Sequence, residues 1–228
     1  MNSRILLLTL ALFMLHLAAC SPAEKEWRLT PAGEVRYVIT EVTVPDESQE
    51  RQDTIITGIR LKQTGSVAKE YGEGRNLLFE VVSERQGAID SIRFTCDIYG
   101  RISAVHGADQ ATTNLFTRLF FYIPAARTVK AGDTWTSEFT LNTPIPEKHM
   151  NMITVQEIKG DTVVMGLNTV VSVLTNVSES VSAQGMLKGT ISASLSTGLL
   201  YHCSLKGSVM KRDNPDEKSE HTFIIQRQ

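Results

Sequence analysis

The chain of 228 residues is poor in most features that announce a function. Aromatic residues make up 7% of it and proline occupies 7 positions, so neither an aromatic sugar-binding platform nor a long disordered tail is written into it. Neither sign of charge dominates: 23 Lys and Arg stand against 25 Asp and Glu, a net charge of −2. That balance lacks the basic footprint by which proteins hold phosphate backbones, and it predicts no nucleic-acid partner. The sequence contains no HExxH, CxxC, GxSxG or phosphate-loop motif. His106, His149, His202 and His221 lie far apart without metal-ligand spacing, and His202 reads as a solvated side chain. The charged residues Glu24, Glu26, Asp213, Asp216 and Glu217 read as solvated runs. These absences predict a non-catalytic protein with no metal and no cofactor.

Long apolar runs are also scarce, and the chain has one, from Ile5 to Ala19 behind the basic Arg4. A helix needs about 20 apolar residues to cross a bilayer, so this run is short for a permanent span. A basic start, a short apolar core and small residues at its end are the layout of a secretory signal, predicted over residues 1–19. The run ends in Leu17-Ala18-Ala19-Cys20, which resembles the lipobox of bacterial lipoproteins. The resemblance implies that the Cys20 thiol takes a diacylglycerol, that residues 1–19 are cut away, and that the new amino terminus is acylated. Palmitate is the acyl group expected. An ordinary cleaved signal with a chance cysteine is the alternative. Two acyl chains, at ~0.8 kcal/mol per buried methylene, hold a protein firmly at a membrane. By analogy with lipoprotein sorting, Ser21 after the cysteine implies the outer rather than the inner membrane of the cell envelope, with no transmembrane span in the mature form.

Without residues 1–19 the chain keeps 209 residues (228 − 19) and, having lost Arg4, a net charge of −3. That length suits one large β domain, or two small ones sharing a core. Residues 20–33, the lipidated cysteine and the largely polar stretch Ser21 to Gly33, read as a tether. Strand signals dominate afterwards. Val35 to Val44 is rich in β-branched residues; Ile55, Thr57, Ile59 and Leu61 alternate with polar neighbours, as do Leu77, Phe79 and Val81. Val163, Met165, Leu167, Val171 and Val173 share one parity. From Val181 the alternation is longest, with Ala183, Gly185, Leu187, Gly189, Ile191 and Ala193 on the apolar side. A period of two held this long predicts an antiparallel strand with one buried face, here over 181–195, followed by another over 199–210. The small residues in the row predict close approach of something, either packing or a hydrophobic ligand.

One segment departs from period two. Leu115, Phe116, Leu119, Phe120 and Ile123 fall at helical spacing before Pro124, which predicts a short helix over 113–122. A faint repeat relates Cys96–Ile102 to Leu195–Leu200, so the domain at 34–228 reads as two similar β halves, 34–111 and 134–228, joined by a helix and loop at 112–133. Cys96 shares parity with Ile92, Phe94 and Ile98, and Cys203 with Leu199, Tyr201 and Leu205. Both cysteines should face an interior, either bonded or as two separate thiols, the latter favoured because their positions in the repeat are not equivalent.

A lipobox, a strand block ending in a Gly turn, an Ile-Pro segment (Ile123-Pro124) and then Val129-x-x-Gly132-Asp133-x-Trp135 resemble a group of uncharacterised bacterial cell-envelope lipoproteins, a domain family of unknown function. More distantly the layout is similar to the lipoprotein-carrier type (LolA, LolB, LppX). That likeness implies a curved antiparallel sheet able to cup an acyl chain. Two functions follow as expectations. In one, a membrane-anchored lipoprotein binds a lipid or other hydrophobic ligand along Ala183, Gly185, Leu187, Gly189, Ile191 and Ala193. In the other, the same row is filled core and the outer face meets another envelope protein.

Overall fold

A computed structural model describes residues 23–31, 33–45, 52–68, 75–100, 102–106, 119–124, 126–141, 146–175, 181–214 and 216–228. The strands are β1 (Lys25–Glu26), β2 (Glu34–Val44), β3 (Asp53–Ala68), β4 (Arg75–Arg85), β5 (Ala88–Cys96), β6 (Ile102–His106) and β7 (Thr128–Val129). The chain continues through β8 (Thr134–Leu141), β9 (Glu147–Lys159), β10 (Thr162–Leu174), β11 (Val181–Ser194), β12 (Leu200–Lys211) and β13 (Lys218–Arg227). Eleven of them form one antiparallel sheet in the order β6-β5-β4-β3-β2-β13-β12-β11-β10-β9-β8, and the sheet does not close. The protein is thus mainly β, as the alternation predicts. It consists of two meanders, β2–β6 and β8–β13, sealed side by side where β2 pairs with β13. The helix expected over 113–122 falls mostly outside the described residues; within it, Leu119 and Phe120 have helical backbone and Phe121 and Tyr122 form a turn.

Among the described residues one face of the sheet is buried and the other exposed, because each long strand alternates. In β10, Val163, Met165, Leu167, Thr169 and Val171 are buried while their neighbours are half exposed. Strand register aligns these inward positions into rows that run across the sheet. One row, Val155, Met165, Ile191, Cys203, Ile225 and Ile39, is almost wholly excluded from water and forms the middle of the core.

The neighbouring strands β11 and β12 approach closely on this face. A Cβ at Gly189 would overlap the Ser204 carbonyl oxygen, one at Gly185 the Ser208 carbonyl, and one at Gly207 the Met186 carbonyl. The three glycines sit in a zigzag across the strand pair, with Gly185 opposite Val209, Leu187 opposite Gly207 and Gly189 opposite Leu205. Removing side chains there lets the backbones press together, as at the tight bends of barrels. The sheet is correspondingly curved: Glu41 of β2 and Phe139 of β8, six strand steps apart, line one and the same cavity.

The stretch expected to be a tether is different from residue 25 onward. Trp27 and Leu29 are buried at 0% and 1% exposure. β1 pairs with β7, and the Trp27 N–H donates to the Arg127 carbonyl (2.8 Å). The Arg28, Leu29 and Thr30 N–H groups then donate to the carbonyls of Leu195, Ile98 and Thr197 at 2.9, 2.6 and 3.1 Å. Since Ile98 follows β5 and Leu195 follows β11, this segment laces the two meanders together at one end. Two apolar side chains in a polar stretch have a core to enter, and burying them outweighs the solvation of their neighbours.

Cys96 and Cys203 are buried free thiols. Five strand steps separate β5 from β12, roughly 24 Å along the sheet at ~4.8 Å per step. Burial pushes both thiols up to about 12, so neither is reactive at neutral pH. The parity assigned to Tyr201 and Ile98 is corrected here. Ala193 pairs with Leu200 and Ser192 with His202, which makes Tyr201 the extra residue of a bulge and turns it outward. Ile98 lies in the turn after β5 and is exposed.

Candidate functional site: a cavity on the concave face

The two ends of the concave face are built differently. At the end carrying the 97–100 and 195–198 turns, the space is filled. Trp27 packs edge-on against Tyr122 (5.9 Å between ring centres), and the Tyr122 hydroxyl donates to the Gly198 carbonyl (2.8 Å). Phe120 meets Phe94, which stacks on Phe79 (5.4 and 5.0 Å). Gly198 has φ +64°, and a Cβ there would lie 2.5 Å from the Arg28 carbonyl oxygen, so the turn needs glycine both for its backbone and for its contact with the lacing segment. Asp161 pins the same end by accepting from the Ser194 hydroxyl (2.5 Å) and the Ser196 N–H (2.8 Å).

Toward the other end, where β9 and β13 begin and β10 and β12 finish, the same face encloses a cavity of about 410 Å³. Such a volume lies within the ordinary range for small-molecule sites. Phe121, tilted against Phe139 (6.1 Å), ends the plug and floors the cavity. Val171, Val173, Leu187, Leu205, Val209 and Phe223 supply its apolar wall.

Register places the polar groups of the cavity in two opposing patches. On the first wall Ser137, Asn151 and Thr169 are aligned on β8, β9 and β10. The Thr169 hydroxyl donates to Asn151 Oδ1 (2.7 Å), and Asn151 Nδ2 reaches Ser137 through long contacts of 3.3 and 3.4 Å. The row continues through Leu187 and Gly207 to His221 and Thr43 on the second wall. There His221 Nε2 lies 2.7 Å from the Ser219 hydroxyl and Nδ1 3.5 Å from that of Thr43. One row nearer the mouth, His149 stacks on Phe139 (4.9 Å, 7° between planes) and meets Glu147 at 3.2 Å.

Burial lowers the His221 pKa, opposed by the carboxylates of Glu147 and Glu220 and reinforced by His149. On a flat sheet His149 and His221, four strand steps apart, would be roughly 19 Å from each other. That Glu147, His149 and His221 line one cavity reflects the curl of the sheet. The mouth carries Lys211 paired with Glu217, and Lys218 paired with Glu220 at 3.5 Å.

No family model, curated protein or solved structure matches this chain.

Of the row expected to face a ligand, Ala183 and Leu187 line the cavity. Gly185 and Gly189 face the same way, but what presses on them is the backbone of β12. Ile191 and Ala193 belong to the filled end and are fully buried. Cys20 lies outside the described residues. Among the described residues no group of three or more His, Cys, Asp or Glu is placed to hold a metal ion, and no helix is long and apolar enough to cross a membrane. Reading the sequence missed His149 and His221, 72 positions apart (221 − 149), because no spacing relates them. Their inward parity, beside Asn151 and Phe223, was the available signal.

Proposed function

We propose that this protein is a non-catalytic lipoprotein of the bacterial cell envelope, held at the outer membrane by acyl chains on Cys20, that takes a hydrophobic ligand into its concave face. The observation that carries the reading is the contrast along that face: one end is filled by Trp27, Leu29 and Phe120, and the other leaves about 410 Å³ among Phe121, Val171, Leu187, Leu205 and Phe223. Apolar walls with a few convergent polar groups are the ordinary make-up of a ligand site. The resemblance of Leu17-Ala18-Ala19-Cys20 to a lipobox, and of the layout to lipoprotein carriers, points the same way. A native mass spectrum of protein extracted without added lipid tests it: a bound apolar mass is expected, and a bare chain that also ignores added lipid contradicts it. Detergent phase partition tests the anchor separately, since wild type should enter the detergent phase and Cys20→Ala should not.

A second reading, a protein that meets an envelope partner through its outer face, is favoured by one feature. Met150 and Met186, 48% and 51% exposed, flank Val170 in register on the convex side, and such flexible side chains suit protein contacts.

A further inference from the structure

We infer that the cavity selects a single-chain amphiphile with an uncharged, hydrogen-bonding head, of the monoacylglycerol or acyl-ester class, over the corresponding fatty-acid anion; the inference rests on the ligand-binding reading above. Three observations carry it.

The first is capacity. A cavity of about 410 Å³ lies toward the lower end of the range for sites that bury a single small ligand, which suits one acyl chain rather than two. Phe121 closes the far side, and among the described residues the core beyond it is filled.

The second is charge. Among the described residues the cavity is lined by three carboxylates, Glu41, Glu147 and Glu217, against two ammonium groups, Lys211 and Lys218. Both lysines stand at the mouth in ion pairs, with Glu217 and Glu220. An anionic head would meet more carboxylates than ammonium groups among these residues and find each cation engaged. Moving an ionised carboxylate out of water without a partner is heavily penalised, whereas a neutral ester or hydroxyl needs only hydrogen bonds.

The third is the polar belt. Asn151 and Thr169 are 2% and 1% exposed and line the cavity beside Leu187 and Val171. The Asn151 amide spends its donor on contacts of 3.3 and 3.4 Å to Ser137, long enough that a closer carbonyl oxygen would capture it. Across the row, Ser219, His221 and Thr43 line the same cavity and offer both donors and acceptors. An ester presents carbonyl acceptors and, in a monoacylglycerol, hydroxyl donors; the belt can satisfy both.

The test is titration of the full mature domain at pH 8 with monomyristoylglycerol, myristate and dimyristoylglycerol, read by displacement of Nile red. The monoester should bind at least tenfold more tightly than myristate, and Asn151→Leu should abolish most of that preference while Nile red still binds. Myristate binding as tightly as the monoester overturns the inference, as does a full preference in Asn151→Leu. Dimyristoylglycerol binding as well as the monoester overturns the one-chain limit. If Nile red itself finds no site in the wild type, the ligand-binding reading fails and takes this inference with it.

Discussion

The two ends of one concave face share strands, register and alternation, yet one is packed and the other hollow. Along β10 the inward residues Val163, Met165 and Leu167 meet the filled end, and Val171 and Val173 meet the cavity. The difference lies in what covers them. At the closed end Trp27, Leu29 and the Leu119–Tyr122 turn descend onto the sheet, held by backbone hydrogen bonds to both meanders. At the open end nothing among the described residues fills the space beyond Phe121. Strand pattern makes the wall; segments from outside the sheet decide whether it encloses a core or a site.

The comparison can be broken most forcefully at the plug. Trp27→Ala should cost about 3–5 kcal/mol, as large aromatic truncations in packed cores do, with a matching drop in the urea midpoint. A loss under 1 kcal/mol would mean that the lacing segment is ornamental. Next come matched truncations on β11. Ile191→Ala, in the packed row, should cost about 2–5 kcal/mol, and Leu187→Ala, on the cavity wall, should fall at or below the bottom of that range because the space beside it is already open. Equal losses would argue that both ends are filled in solution.

Gly189→Leu separates strand packing from ligand lining. Its Cβ would overlap the Ser204 carbonyl, so the variant should be destabilised by about 1–3 kcal/mol or more, whether or not ligand is present. Retained stability with lost binding would place a ligand at Gly189 instead.

The smallest expected effect is on pH dependence. His221 has a folded pKa below its unfolded value near 6.5, chiefly through burial. The unfolded chain therefore takes up a proton more readily. Wild type should lose stability relative to His221→Gln as pH falls from about 6.5 through the folded pKa, and the two should run parallel above about pH 7.5. Chemical denaturation at several pH values checks this, and a gap that widens toward alkaline pH would contradict it.

Much of this architecture was legible in the residues. The long alternation after Val181 is β11, observed as Val181–Ser194, and β12 follows at Leu200–Lys211. The apolar parity of Cys96 and Cys203 foretold two buried thiols. Legibility failed where tertiary context overrides local pattern. Trp27 and Leu29 lie in a polar stretch and look solvated until a core end is available to receive them. Tyr201 changes face because one bulge shifts the count, and a period of two carries no memory of an inserted residue. The cavity itself was invisible, since Val171 above a void and Val163 in a packed core obey the same alternation. His149 and His221 met only through register, which pairs strands by neighbours no linear spacing reveals.

The central claim, that the open half of the concave face holds a ligand, is tested most directly by filling it. Val171 lines the cavity wall, and a larger side chain there would take up the open space in front of it. Nile red titrated into wild type and Val171→Phe, with urea unfolding run alongside, gives the answer. Wild type should show one saturable site, and Val171→Phe should lose at least tenfold in affinity while unfolding at a similar midpoint. Equal, saturable binding by a folded Val171→Phe would show that the dye, and by extension the ligand, sits somewhere other than this cavity.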